Sequence, residues 1–409
     1  MQTVVEWLKD RDPHTFPYEG VVRRFHRVGK HFVEKELLDS LCRARALLPT
    51  GCDPGSAPLG PFLDAALDKY DGRYDYLTYT GLSLLPLPGR GYCTRDDSAA
   101  LRQRNRLVRL LITDALRFEE VAAAGTTRLL PQMRPDRRTV AKRCRLGLRV
   151  DSRLSGHNAG SANCRMQDPV KVAQDWCTAV RESESAPERI ALRLSMLPVY
   201  VVHDEYLFIR VLQSFEATFA LLVVQLSAAV DALESGDLAR ATMLVDAACS
   251  ALQQSAPLFS MLATMQVESF RRFRQFTDGA SAIQSVNYKR MESLCRLPDY
   301  ERIDSPAYQS VPTVRSKVLA GDQDSLETAY LTMRGRALLP PARDHAFRAA
   351  AARFAAVLRH WRSTHYHLAV RMLGDVKGTG QTAGTPYLKD ALDVPIFGAE
   401  IMVDRDDRP

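Results

Sequence analysis

The chain is expected to fold as an all-α protein, and three stretches predict this. Asp97–Ala124 places Leu101, Leu107, Leu110, Leu111, Ala115 and Leu116 along one stripe at helical spacing. His203–Glu234 is longer and more apolar, and its Phe208, Leu212, Phe215 and Phe219 recur every three or four residues. A third helical pattern begins near Ala342 and runs through His360 and beyond, until a Gly/Thr-rich stretch ends it.

Bulk properties narrow the class. The chain has 409 residues, enough for one large domain or two ordinary ones, and 46% hydrophobic residues, enough for a sizeable core. The net charge of +7 is modestly basic. Without interleaved aromatics or a known module it argues for no nucleic-acid partner. The eight cysteines (42, 52, 93, 144, 164, 177, 249 and 295) form no C-x-x-C pair, so a zinc site or dithiol is not expected. Scattered thiols suit a reducing cytoplasm. The N-terminus MQTVVEWLKDRD carries early acids and no apolar core, unlike a secretory signal. The most apolar stretch, Ala217–Val230, is interrupted by Gln225 and reads as too short to span a bilayer, so no membrane is expected.

In chain order, residues 1–48 read as helical, with Val21, Phe25, Phe32 and Leu37 among charges. Leu48–Pro61 reads as a Pro/Gly/Ser loop and Leu63–Tyr70 as a short helix. Asp71–Leu87 crowds Tyr74, Tyr76 and Tyr79 together. It reads either as a packed aromatic loop or as a segment closing a ligand site. Met133–Val150, the most basic run, reads as a solvated helix face. Asp151–Asp168 reads as a linker, and its His157 and Cys164 offer only a weak metal or haem-attachment pair. Val170–Ser183 is helical, and from about Ala186 one continuous helical domain follows. The expected division is therefore 1–185, a helical region of unclear role, and 186–409.

The chemistry is expected in His360–Lys389. Trp361, His365, Leu368, Ala369 and Met372 share a helix face that is apolar except for His365, while His367 points away. Spacing alone leaves two readings open: a core histidine bonded to a carbonyl, or an axial ligand to a flat apolar cofactor. The following Gly378-Thr379-Gly380 fits neither a dinucleotide fingerprint nor a P-loop, because a helix precedes it and no G-K-[ST] ends it.

Three ordered blocks carry a family resemblance. Trp361-Arg362-x-x-His365, Arg371-Met372-Leu373-Gly374, Gly378-Thr379-Gly380 and Tyr387-Leu388-Lys389 form one. His203-Asp204-Glu205-Tyr206-Leu207-Phe208-Ile209 with Gln213 forms another. Phe273-Arg274, Ala280-Ser281, Gln284-Ser285 and Glu292 form the third. Together they resemble the tryptophan 2,3-dioxygenase superfamily of histidine-ligated haem-dependent aromatic oxygenases. The resemblance implies a helical-bundle haem domain with a helical N-terminal extension, and a cytoplasmic homodimer or homotetramer. It implies haem b, with His365 as the axial ligand of the iron and Trp361 and Ser281 at the cofactor. It implies that Phe208, Leu212, Arg274 and Thr379 bind an aromatic amino acid, Arg274 through the α-carboxylate. O₂, or peroxide, would be the co-substrate.

The sequence departs from the family at informative places. Leu212 stands where the family has a distal His, and Gln381-Thr382-Ala383-Gly384 stands where it usually reads G-S-S-G. The segment between Cys295 and His360 is shorter than the family's helical insert, and residues 1–185 have no clear counterpart. The implied default activity is tryptophan 2,3-dioxygenation. The alternatives are hydroxylation of a tyrosine or tryptophan derivative in secondary metabolism and a haem-binding protein without turnover. No residue is singled out as a catalytic acid or base.

Overall fold

A computed structural model describes residues 3–48, 58–89, 97–156, 168–336, 339–374 and 385–402. Helices dominate, and the only β-pairing among the described residues is an isolated bridge between Gln132 and Val202. The all-α expectation therefore holds. His157, Cys164 and Thr379 lie outside the described residues.

Two compact units share the chain. The first comprises residues 1–87, 105–214 and 260–282, and the second residues 88–104, 215–259 and 283–409. The expected division after residue 185 falls inside the first unit. The long helix Asp204–Glu234 supplies residues to both units.

In the first unit, N-terminal helices Val4–Asp10, Tyr18–Val28 and Lys35–Ala46 join Leu59–Leu67 around one apolar cluster. Thr3 and Glu6 start the first helix with a reciprocal capping box, which satisfies two of its orphan donors. Trp7, Phe16, Tyr18 and Phe62 meet edge to face. Gly29 is required where it stands. Its φ is +84°, and an added Cβ would lie 2.6 Å from the Val199 carbonyl oxygen.

The second helical layer of this unit corrects one expectation. The helix Arg137–Leu154 runs four residues into the expected linker, and its face is not wholly solvated. Arg143 is fully buried. It donates to Glu119 at 2.6 Å and to Asp204 at 2.6 Å, while Lys142, Arg145 and Arg149 stay exposed. Val140, Cys144, Gly147 and Val150 share the buried stripe, so Arg143 lies where an apolar residue would ordinarily sit.

In the second unit, Leu238–Gln254 packs along the helix Pro341–Leu373, against which Thr385–Asp393 also lies. Asp237 caps Leu238–Gln254 through the Arg240 backbone N–H at 2.9 Å. A smaller cluster gathers Ile283, Ala307, Tyr308, Val311 and Val314. Gly374, at φ +63°, ends Pro341–Leu373 shortly before the Gly/Thr-rich stretch expected to break the helix.

The apolar segment is longer than Ala217–Val230 suggested. Asp204–Glu234 is a 31-residue helix, long and apolar enough to cross a membrane by length and composition, but 83% of its most apolar window is buried inside the protein. That burial matches a core helix.

Candidate functional site

The site residues in the first unit form an aromatic cluster. Phe208 and Leu212 lie one turn apart on Asp204–Glu234, and both are half-buried against Tyr79, Tyr206, Ile209 and Ala280. Phe208 has its ring centroid 5.3 Å from Phe273, 5.6 Å from Phe270 and 6.4 Å from Tyr79. The helix Val267–Arg274 ends beside this cluster. Arg274 follows the buried Phe273 directly and is half-buried, and burial lowers its guanidinium against the opposing pull of Asp278. Ser281 follows Ala280, a member of the same cluster, and is half-buried.

The tyrosine-rich segment 71–87 packs here within its own chain. A short helix Tyr76–Tyr79, capped by Asp75, buries Tyr76 and Tyr79. The Tyr79 hydroxyl donates to Glu205 at 3.4 Å. A packed aromatic segment is therefore the observed arrangement, and it reaches Phe208.

The motif His203-Asp204-Glu205 fixes the start of the long helix. Asp204 accepts from Arg143 and, through its other oxygen, from the Gln266 backbone N–H at 2.8 Å. His203 meets Glu119 through Nε2 at 3.1 Å and stacks on Phe118. Glu205 accepts the backbone N–H groups of Val199 and Tyr200 at 2.6 and 3.0 Å. Burial raises its carboxyl to about 8 despite those bonds. Gln213 donates to the carbonyls of Thr80 and Ser195 at 2.8 and 3.0 Å. These residues orient the helix that presents Phe208 and Leu212. Sequence reasoning missed Glu119 and Arg143, because the pairing joins residues far apart in the chain.

The second unit holds Trp361 and His365, one turn apart on Pro341–Leu373. The His365 ring lies 5.3 Å from Trp361 and 6.2 Å from Phe259, tilted 26° from the latter. Phe215, Phe219 and Tyr288 surround the other faces of Trp361 at 5.3–5.6 Å. Among the described residues neither His365 nitrogen has a hydrogen-bond partner, which removes the reading of a carbonyl-bonded core histidine within them. Burial lowers the imidazole to about 4, so it is neutral at pH 7. His367, by contrast, is exposed and bonded to the Ser363 carbonyl at 2.7 Å.

Arg362, one turn from His365, is the strut of this helix. It donates to Tyr288 at 2.8 Å, to the carbonyls of Ala391 and Val394 at 3.1 and 2.8 Å, and to Glu292 at 3.1 Å. Glu292 also receives Arg302 at 2.9 Å and faces Lys289 at 3.6 Å. Burial alone would raise Glu292, but Lys289, Arg302 and Arg362 more than offset it and hold the carboxyl at about 2.

A haem requires one axial donor in an apolar, aromatic surround. A neutral imidazole beside Trp361 and Phe259, without a hydrogen-bond partner among the described residues, fits that requirement. No cluster of three or more potential metal-binding side chains occurs among the described residues, so His365 offers a single-donor site and not a chelating cage.

Residues 193–318 match the sequence model of a family described as Tryptophan 2,3-dioxygenase. That segment is similar to the tryptophan 2,3-dioxygenase superfamily. Named relatives of this superfamily include the tryptophan 2,3-dioxygenase of Burkholderia multivorans, 25% identical over 49% of this chain and 75% of that protein. That of a Nocardioides species is 29% identical over 48% of this chain and 82% of its own length. That of Paraburkholderia phytofirmans is 26% identical over 49% and 76%. Two of the resembling blocks, from His203 and from Phe273, lie inside the matched superfamily segment. Each alignment with a relative spans about half of this chain.

Proposed function

We propose that the chain is a haem-dependent oxygenase of an aromatic amino acid, with tryptophan 2,3-dioxygenase-like insertion of O₂ into the indole ring as its default reaction. The observation that carries this reading is His365, neutral, flanked by aromatic rings and without a partner among the described residues. All residues assigned to the reaction fall within 186–409.

His365 would hold the haem iron through a ring nitrogen, with Trp361 packing beside the imidazole. Bound haem supplies the activation of O₂. Arg274 grips the substrate α-carboxylate through paired N–H donors, as a planar guanidinium does well. Thr379, outside the described residues, would bond the same amino acid backbone. Phe208 stacks on the substrate ring and keeps water from it. Positioning of this kind contributes to rate by holding the reactant in one geometry.

A second reading rests on Leu212. An apolar residue in this cluster supplies no proton acceptor for an indole or phenol. That favours a reaction needing no base at this position, such as single-oxygen hydroxylation of a tyrosine or tryptophan derivative with peroxide, or with O₂ and an external two-electron reductant. Mass spectrometry of products from tryptophan and tyrosine separates the readings. Gain of two oxygens with ring opening supports the dioxygenase, gain of one supports the hydroxylase, and unchanged substrate from haem-loaded protein rejects both. A cytoplasmic homodimer or homotetramer is the assembly proposed with either.

A further inference from the structure

A cavity of about 180 Å³ opens in the first unit, lined by the helices Tyr18–Val28, Asp97–Ala123, Pro169–Glu182, Ala186–Leu194 and the long helix. It is smaller than the roughly 300–1,000 Å³ of sites for drug-sized ligands. Its lining includes Arg117, Arg181, Arg189, Arg193 and Arg210, against only two carboxylates, Asp114 and Glu184.

The pairing within this lining is uneven. Arg210 is fully engaged, with Asp114 at 2.6 Å and with Gln213, Ser195 and the Leu192 carbonyl. Asp114 also accepts the Tyr206 hydroxyl at 2.6 Å. Arg189 pairs with Glu184 at 3.5 Å, and Arg193 with Glu19 at 3.4 Å. Arg117 and Arg181 have no carboxylate or hydrogen-bond partner among the described residues. Thr113 also lines the cavity. It is 2% exposed, and its hydroxyl has no hydrogen-bond partner among the described residues. A buried hydroxyl left unpaired is destabilising, so a hydrogen-bonding ligand there relieves a standing penalty.

We propose that this cavity binds a compact dianion, a small dicarboxylate or a phosphate group, through Arg117 and Arg181, with Thr113 donating to the same anion. Guanidinium groups bind both chemistries through parallel N–H donors. The surplus of two unpaired cations matches a ligand of two negative charges. Asp114 and Glu184, already satisfied by Arg210 and Arg189, leave that surplus intact. The site is independent of the haem reading, because none of its residues is assigned to the oxygenase reaction.

The full-length protein tests this by isothermal titration calorimetry with inorganic phosphate and, separately, succinate, at constant ionic strength set by chloride. Saturable binding of one or both supports the proposal, and the tighter probe identifies the source of the dianion. The variant Arg117→Gln/Arg181→Gln is expected to weaken that binding about tenfold or more. Thr113→Val, which removes only the hydroxyl, is expected to weaken it severalfold and serves as the second reading of the site. Arg138→Gln, an exposed arginine elsewhere in the unit, is expected to leave it unchanged. No saturable heat with either probe, undiminished affinity in the double variant and in Thr113→Val, or an equal loss in Arg138→Gln would each overturn the assignment.

Discussion

Replacing Glu292 with Gln is the most informative perturbation of the helix that carries His365. The Glu292 carboxylate is buried among Lys289, Arg302 and Arg362. Its carboxyl sits at about 2 against an ordinary 4.5. A depressed carboxyl stabilises the fold fully above its unfolded value and loses that contribution as pH falls through the folded one. The shift corresponds to about 3 kcal/mol at pH 7, falling to about 1 kcal/mol at pH 3. Breaking a buried ion pair costs about 3–5 kcal/mol, in agreement. Urea denaturation of wild type and Glu292→Gln at both pH values checks the argument. The variant is expected to lose about 3 kcal/mol at pH 7 and far less at pH 3. Because Arg362 is one turn from His365, the variant should also shift the absorption of added haem. Equal stability at pH 7, or a deficit of the same size at pH 3, would refute the assigned role of this network.

Further outcomes follow from the same structure. Arg143→Met leaves Glu119 and Asp204 buried without their cation, and urea midpoints should record a loss of about 3–5 kcal/mol. Gly29→Ala places a Cβ against the Val199 backbone at positive φ and should cost about 2–5 kcal/mol by the same assay. Arg274→Ala should raise the KM for the amino acid about 10–100-fold, with haem binding unchanged, as steady-state kinetics would show. Leu212→His puts an imidazole in the Phe208 cluster, and the pH–rate profile should gain an inflection near the ordinary histidine value of about 6.5.

How much of this was legible beforehand depended on whether a residue's role is local. The long helix, the helix end at Gly374 and the apolar face around Trp361 and His365 follow from periodicity and glycine, and the structure has them. The basic run Met133–Val150 predicts a solvated face, yet Arg143 within it is buried. Its burial comes from Glu119 and Asp204, which lie elsewhere in the chain. A signal was present, since Val140, Cys144, Gly147 and Val150 mark a buried stripe that includes position 143. Glu292 and Arg362 stood in the resembling blocks, but their mutual contact is visible only in three dimensions. Gln225 interrupts the apolar run in the sequence, but the 31-residue helix buries it at 2% exposure. The arginine-lined cavity draws on five helices and left no pattern in the sequence.

The central claim is that His365 ligates haem iron. Absorption spectra of the purified protein with added haem, beside His365→Ala, test it most directly. The account predicts a Soret band in the wild type that moves on reduction and on CO addition, and that is lost or altered in His365→Ala. Identical haem spectra in the two proteins, or no haem uptake by the wild type, would contradict it.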